Sequence, residues 1–147
     1  MGYYFDSSLS ADQCLSCSVL DYECLTCNSS HCYVCASGFY LDAFTNVCTG
    51  CSANVSYCSL CYSALVCTLC QDGYYLASAT SCLSCSSLTG CLACNDSSTC
   101  TLCASGYYLS TGSCSPCPGN CSVCTSAAIC TICAASYYSS GTDCPSC

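Results

Sequence analysis

Nowhere along this chain do apolar residues recur at the three-and-four spacing of an amphipathic helix, and Ser, Thr and Gly interrupt every window. What recurs is a short phrase of aromatic and aliphatic residues. It reads Gly2-Tyr3-Tyr4-Phe5, Gly38-Phe39-Tyr40-Leu41, Gly73-Tyr74-Tyr75-Leu76 and Gly106-Tyr107-Tyr108-Leu109, with a weakened Ser136-Tyr137-Tyr138-Ser139. Such residues suit a short strand, and the polar stretch that follows, for example Ser110-Thr111-Gly112-Ser113, suits a hairpin turn. The pattern predicts short two-stranded β-hairpins and loops with little or no helix.

The phrases are separated by cysteines, and every cysteine belongs to a CxxC pair. The pairs are Cys14/Cys17, Cys24/Cys27 and Cys32/Cys35, then Cys48/Cys51, Cys58/Cys61 and Cys67/Cys70. Cys82/Cys85, Cys91/Cys94 and Cys100/Cys103 follow, then Cys114/Cys117, Cys121/Cys124 and Cys130/Cys133, and last Cys144/Cys147. Three pairs per repeat divide the chain into repeats at 1–35, 36–70, 71–103 and 104–133, with a partial fifth at 134–147. The chain opens in the middle of a repeat and closes on the first pair of another, which reads as a window on a longer array or as a subunit whose two ends are completed by neighbours. Neighbouring side chains of a strand face opposite ways, so one ring of each aromatic doublet is expected over a disulfide and the other outward.

A longer period shows in the N-glycosylation sequons at Asn28, Asn54, Asn95 and Asn120. Asn28 and Asn95 follow the second CxxC of their repeats, whereas Asn54 and Asn120 precede it. The flanks agree, since Cys14-Leu15-Ser16-Cys17 returns as Cys82-Leu83-Ser84-Cys85. The underlying unit is therefore a pair of repeats.

Composition says what holds such a chain together. Leu, Ile, Val and Phe together make up 25 of 147 residues, below the level at which a chain ordinarily buries a core unaided. A disulfide closing a loop of ~15 residues contributes about 3 kcal/mol, and burying a large apolar side chain about 2 kcal/mol. Crosslinks therefore rank with apolar burial. CxxC also serves zinc and dithiol redox centres, and charge separates the three chemistries. With no Lys or Arg and eight acidic residues, the net charge is -8; about six tetrathiolate zinc sites at -2 each would take it to about -20 with no cation to offset it. A redox centre needs one thiol of depressed pKa beside a basic group or helix N-terminus, and the sequence offers neither. Structural disulfides in an oxidising, extracellular or cell-surface setting follow. Pair bonded to pair, thirteen pairs leave one over, and Cys144/Cys147 is the expected remainder, unpaired or bridging end to end.

The missing cations remove nucleic acid and anionic membrane surfaces from the partner list. No apolar run approaches the ~18 residues of a transmembrane helix, so no direct membrane insertion is expected in this window. The lone His31 lies in a Ser-rich turn without an acid and nucleophile beside it, and no D-x-D-x-D-G loop occurs. The sequence thus nominates no catalytic residue, no metal ligand and no cofactor apart from covalent N-glycans, and an enzyme is not expected.

CxxC, two residues, Gly-Tyr-Tyr-Leu, a polar turn and further CxxC pairs together resemble the furin-like, growth-factor-receptor-type cysteine-rich repeats of large surface proteins in ciliates and other protists. The resemblance covers the whole chain, which differs in having no Lys or Arg and in Ser136 replacing the phrase glycine. It implies a small disulfide-rich fold, an elongated tandem-repeat rod of modules without a common hydrophobic core. The repeat, the incomplete ends, the missing cations and the absence of any site point to a structural extracellular glycoprotein forming a fibre, appendage or surface coat. Its partners would be copies of itself or adjoining repeats of a longer chain. The alternative is a stalk or ectodomain of a receptor or adhesin that binds a protein or glycan, which an exposed, non-repeated aromatic patch would favour. Small-angle scattering tests the rod: four modules of about 25 Å give a radius of gyration of about 29 Å, and a value near the ~15 Å of a compact domain of this length overturns it.

Overall fold

The computed structural model describes residues 2–6, 13–140 and 144–146. Each aromatic phrase forms a strand that pairs antiparallel with the strand of the next first CxxC. These hairpins are β1 (Tyr3–Asp6) with β2 (Gln13–Ser16), β5 (Phe39–Leu41) with β6 (Cys48–Gly50), β9 (Tyr74–Ser78) with β10 (Ser81–Ser84), and β13 (Tyr107–Ser110) with β14 (Ser113–Pro116). The second and third CxxC of each repeat form the intervening hairpins: β3 (Cys24–Cys27) with β4 (Cys32–Cys35), β7 (Cys58–Ser63) with β8 (Val66–Cys70), β11 (Cys91–Cys94) with β12 (Cys100–Cys103), and β15 (Cys121–Ser126) with β16 (Ile129–Cys133). A bridge between Tyr137 and Ser146 repeats the aromatic pairing once more. Helix among the described residues is confined to single 3-10 turns at Cys17–Val19, Cys51–Ala53 and Cys85–Ser87. The hairpins foreseen from the aromatic phrase are present, and the fold is small, disulfide-rich and built of repeated hairpin units.

Packing divides the chain into two units, Met1–Gln71 with Leu76–Cys82, and Asp72–Tyr75 with Leu83–Cys147. What is buried in them is mostly sulfur. Among the described residues thirteen of the fifteen buried apolar ones are cysteines, the others being Tyr40 and Val55, and no polar or charged residue is buried.

The cysteine hairpins depend on bulges. A regular strand alternates its faces, which would turn one cysteine of a CxxC outward. Here the register slips between Cys24 and Thr26 and again between Thr26 and Cys27, and the same slips recur in the other three hairpins. Burial over Cys24–Cys27, Cys32–Cys35 and Cys100–Cys103 accordingly runs buried, exposed, exposed, half-buried. The extra residue turns both sulfurs of one pair to the inner side.

The aromatic phrase enters through a tight turn. The Ala36 carbonyl accepts the Phe39 N–H at 3.1 Å, and the same bond recurs from Tyr107 to Ala104 and from Tyr137 to Ala134. This turn takes a positive φ at its third residue, supplied by Gly38 at 89° and Gly106 at 83°. The phrase glycine's carbonyl then accepts the N–H of the second cysteine of the next first pair, from Cys17 to Gly2, Cys51 to Gly38, Cys85 to Gly73 and Cys117 to Gly106, at 2.8–2.9 Å.

The doublet rings follow the expected alternation only in part. Tyr40 is buried beside the half-buried Phe39, and Tyr3 is 66% exposed beside the half-buried Tyr4. Tyr74 and Tyr75, like Tyr107 and Tyr108, are both half-buried. Hairpins this narrow have neighbours on both faces, so the second ring finds cover too.

In the last copy Ser136 stands where the other copies have glycine and adopts a φ of 73°. A side chain in this left-handed region costs roughly 1 kcal/mol relative to glycine. Ser136→Gly is expected to stabilise the 133–144 loop by about that amount, read as slower amide exchange at Tyr137; unchanged or faster exchange there contradicts the turn assignment.

Candidate functional site

The chemistry-bearing groups of this chain are its sulfurs, and their connectivity follows one rule. The second cysteine of each first pair bonds the second of the second pair: Cys17–Cys27, Cys51–Cys61, Cys85–Cys94 and Cys117–Cys124. The first cysteine of each second pair bonds the first of the third: Cys24–Cys32, Cys58–Cys67, Cys91–Cys100 and Cys121–Cys130. The second cysteine of each third pair bonds forward to the next repeat: Cys35–Cys48, Cys70–Cys82, Cys103–Cys114 and Cys133–Cys144. The Cα separations are 5.6, 5.9 and 5.6 Å in the first repeat, within the span a disulfide bridges without backbone movement.

This corrects two expectations. Cys144 is not left over, because it bonds Cys133, and Cys14 is not bridged, because its thiol is free and exposed. Bridging pair to pair fails because each pair with both cysteines bridged is split between two partners. Cys14 occupies the position from which Cys48, Cys82, Cys114 and Cys144 bond back to a third pair, and no third pair precedes it within the 147 residues. Cys147 lies outside the described residues.

The bridges stack. Cys32 Sγ lies 3.6 Å from Cys48 Sγ, Cys67 Sγ 3.7 Å from Cys82 Sγ, Cys114 Sγ 3.2 Å from Cys100 Sγ, and Cys144 Sγ 3.3 Å from Cys130 Sγ. Each contact belongs to a three-sulfur cluster of a size that could hold a soft metal. Metal ligation needs thiolates, however, and every sulfur of the four clusters is bonded in a disulfide.

The sequon asparagines sit in four different settings. Asn95 and Asn54 are exposed, the latter with only a 3.5 Å hydrogen bond from Nδ2 to Tyr40 Oη. Asn28 is half-buried and donates from Nδ2 to Tyr33 Oη at 2.6 Å while its Oδ1 accepts the N–H groups of Ser30 and His31. Asn120 adopts a φ of 62° and donates from Nδ2 to the Cys144 carbonyl at 3.4 Å, and Cys121 within its sequon is bridged. His31 is exposed, with Nδ1 2.8 Å from Ser30 Oγ.

Two acids cap turns. Thr45 and Phe44 donate their N–H groups to Asp42 Oδ1, which holds its carboxyl below the ordinary range. The Ser98 hydroxyl and N–H do the same for Asp96, with help from the Thr99 N–H. A third, Asp21, accepts the Cys48 N–H on Oδ2 at 2.7 Å across 27 residues.

Beside the Asp42 turn lies an open groove of about 210 Å³, walled by Tyr40, Leu41, Asp42, Phe44, Ser63 and Ala64 among others. Phe44 is wholly exposed, and Tyr62 and Leu65, on the neighbouring β7–β8 hairpin, are 84% and 62% exposed. Sequence reasoning missed this patch, although aligning the turns would have found it. The turns at the same place in later copies, Ala77-Ser78-Ala79-Thr80 and Ser110-Thr111-Gly112, hold no aromatic residue.

No protein-family model, curated protein or solved structure matches the chain. The fold by itself defines a small disulfide-rich repeat protein, and twelve bridges belong to an oxidising environment. None of the described helices is long and apolar enough to cross a membrane.

Alkylation of the oxidised protein without reductant should label Cys14 and none of the 24 bridged cysteines. Label on any of those 24, located by mass spectrometry, contradicts the connectivity.

Proposed function

We propose that the chain is a structural extracellular glycoprotein, a disulfide-laddered repeat array of the furin-like, growth-factor-receptor type that serves a fibre, appendage or surface coat. One observation carries this reading: the three-bridge rule recurs four times without interruption. From Cys17 to Cys144 the backbone lies inside disulfide-closed loops, apart from the two middle residues of each first and third CxxC. Repetition of a crosslinked module without a distinguished centre is the economy of a scaffold, not of a reaction site, and it supports a non-enzymatic role. The exposed sequons support a secreted, glycan-coated surface, and partners that share the repeat are copies of the chain or adjoining repeats of a longer one.

A second reading, a stalk or ectodomain that binds a protein or glycan, draws on a patch that does not repeat, at Phe44, Tyr62 and Leu65.

Secretion from a eukaryotic host followed by N-glycosidase treatment and peptide mass analysis tests the glycoprotein reading. Asn54 and Asn95 are expected to carry glycans, and Asn120 to be the least occupied because Cys121 closes its bridge early. The paired change Cys121→Ala and Cys130→Ala keeps that sequon and should raise its occupancy at least about twofold. Four unmodified asparagines would remove the glycan coat from the proposal.

A further inference from the structure

The groove beside the Asp42 turn is a place where one repeat departs from the others in a way that adds binding chemistry. The phenyl ring of Phe44 is fully exposed, so it contributes no burial within the chain and is free to cover a ligand. The walls are mostly apolar, from Tyr40, Leu41, Phe44 and Ala64, and they include a single carboxylate, Asp42. That carboxylate is fixed rather than swinging, because its Oδ1 accepts the N–H groups of Phe44 at 2.8 Å and Thr45 at 3.1 Å. The same donors hold its pKa low, so it is ionised at neutral pH. The complement of apolar walls, an open aromatic ring and one anchored negative charge is a side chain with an apolar stem and a cationic head.

Lysine and arginine both meet that description, and the ring favours arginine, whose flat, weakly hydrated guanidinium stacks on aromatic faces while pairing with a carboxylate. Size agrees, since a cavity of about 150 Å³ takes a benzene ring and this groove offers about 210 Å³. The 147 residues contain no arginine or lysine and carry a net charge of -8. A second copy of these residues therefore cannot supply the occupant and brings a repelling charge, whereas a cationic partner is drawn in by the whole chain's field. A sugar fits less well, for its hydroxyls need several polar wall groups and Asp42 Oδ1 is already engaged by backbone.

We propose that this groove binds an arginine side chain presented by a partner protein. The proposal deepens the partner-binding reading above and rests on it.

The test follows the aromatic NMR signals of Phe44 in the fully oxidised 147-residue protein. The probes are acetyl-Gly-Arg-Gly-amide, the same peptide with neutral citrulline in place of arginine, the leucine peptide, and a chito-oligosaccharide. The arginine peptide is expected to shift the Phe44 ring saturably and to bind at least about fivefold more tightly than the citrulline peptide. Phe44→Ala should abolish saturable binding, followed then on Tyr62. Asp42→Asn, which keeps an oxygen to accept the turn's two N–H groups, should weaken it about fivefold. Both positions are surface turns, and one-dimensional spectra confirm that the variants stay folded. Equal binding of the citrulline or leucine peptide, or binding of the sugar alone, overturns the arginine assignment and leaves the partner-binding reading standing. Phe44 shifts that depend on protein concentration alone overturn it in favour of a second copy, and no shift with any probe overturns both readings.

Discussion

Everything in this fold depends on the way a CxxC pair presents its sulfurs. A bulge between the two cysteines turns both inward, and the two then bond different neighbours instead of one another's pair. One bridge closes each cysteine hairpin on itself, one reaches back to the preceding aromatic hairpin, and one reaches forward to the next. The apolar side chains have little left to do. They lie along the outside of the cysteine hairpins, as Val34, Leu69, Leu102 and Ile132 do at 50–58% exposure, while sulfur fills the interior. Because cysteine is among the most readily buried residues and leaves no strong hydrogen-bonding group unmet once bridged, this interior needs no stock of large hydrophobes. Among the described residues no buried side-chain polar atom lacks a partner.

The loops so closed are short. Sequence separations run from 7 residues at Cys117–Cys124 to 13 at Cys35–Cys48, a range in which the chain-entropy account assigns about 2.5–3 kcal/mol to each bridge. Backbone bonds do the rest, and they repeat as regularly as the sulfurs do. The residue after each third pair donates to the residue before the second pair, from Ala36 to Glu23, Gln71 to Tyr57, Ala104 to Gly90 and Ala134 to Asn120, at 2.7–2.8 Å. Three of those four acceptors, Tyr57, Gly90 and Asn120, have positive φ, so the position tolerates strain where the bridges on either side leave the chain no other course.

Much of this was legible in the sequence, and the parts that were not share a cause. The strands could be read from the aromatic phrase because aromatic and β-branched residues flanked by glycine and polar turns leave few alternatives. The disulfide state followed from charge arithmetic. The connectivity did not, because it turns on bulges at Leu25 and its counterparts, and the registers of Thr26 with Val34 and Leu60 with Leu69 have no signature in residue type. Counting pairs therefore left over the wrong cysteines, sparing Cys144 a partner it has and giving Cys14 one it lacks. The groove escaped for a different reason: reading a repeat attends to what recurs, whereas Phe44 and Tyr62 are informative because they do not.

The interlocking bridges also set how far the molecule can be stretched. Reduced, the 127 steps from Cys17 to Cys144 could be drawn out to about 430 Å at the extended-chain limit. With the bridges intact, tension runs through the sulfurs. The shortest covalent route crosses 12 disulfides of 5.4–5.9 Å and 11 CxxC segments, each segment about 10 Å at full extension, so the span stops near 180 Å. More than half of the contour is thus withheld from any pulling force, and thiol chemistry alone can release it. The chain behaves as a tether with a built-in stop, whose slack is set by the redox state of its surroundings.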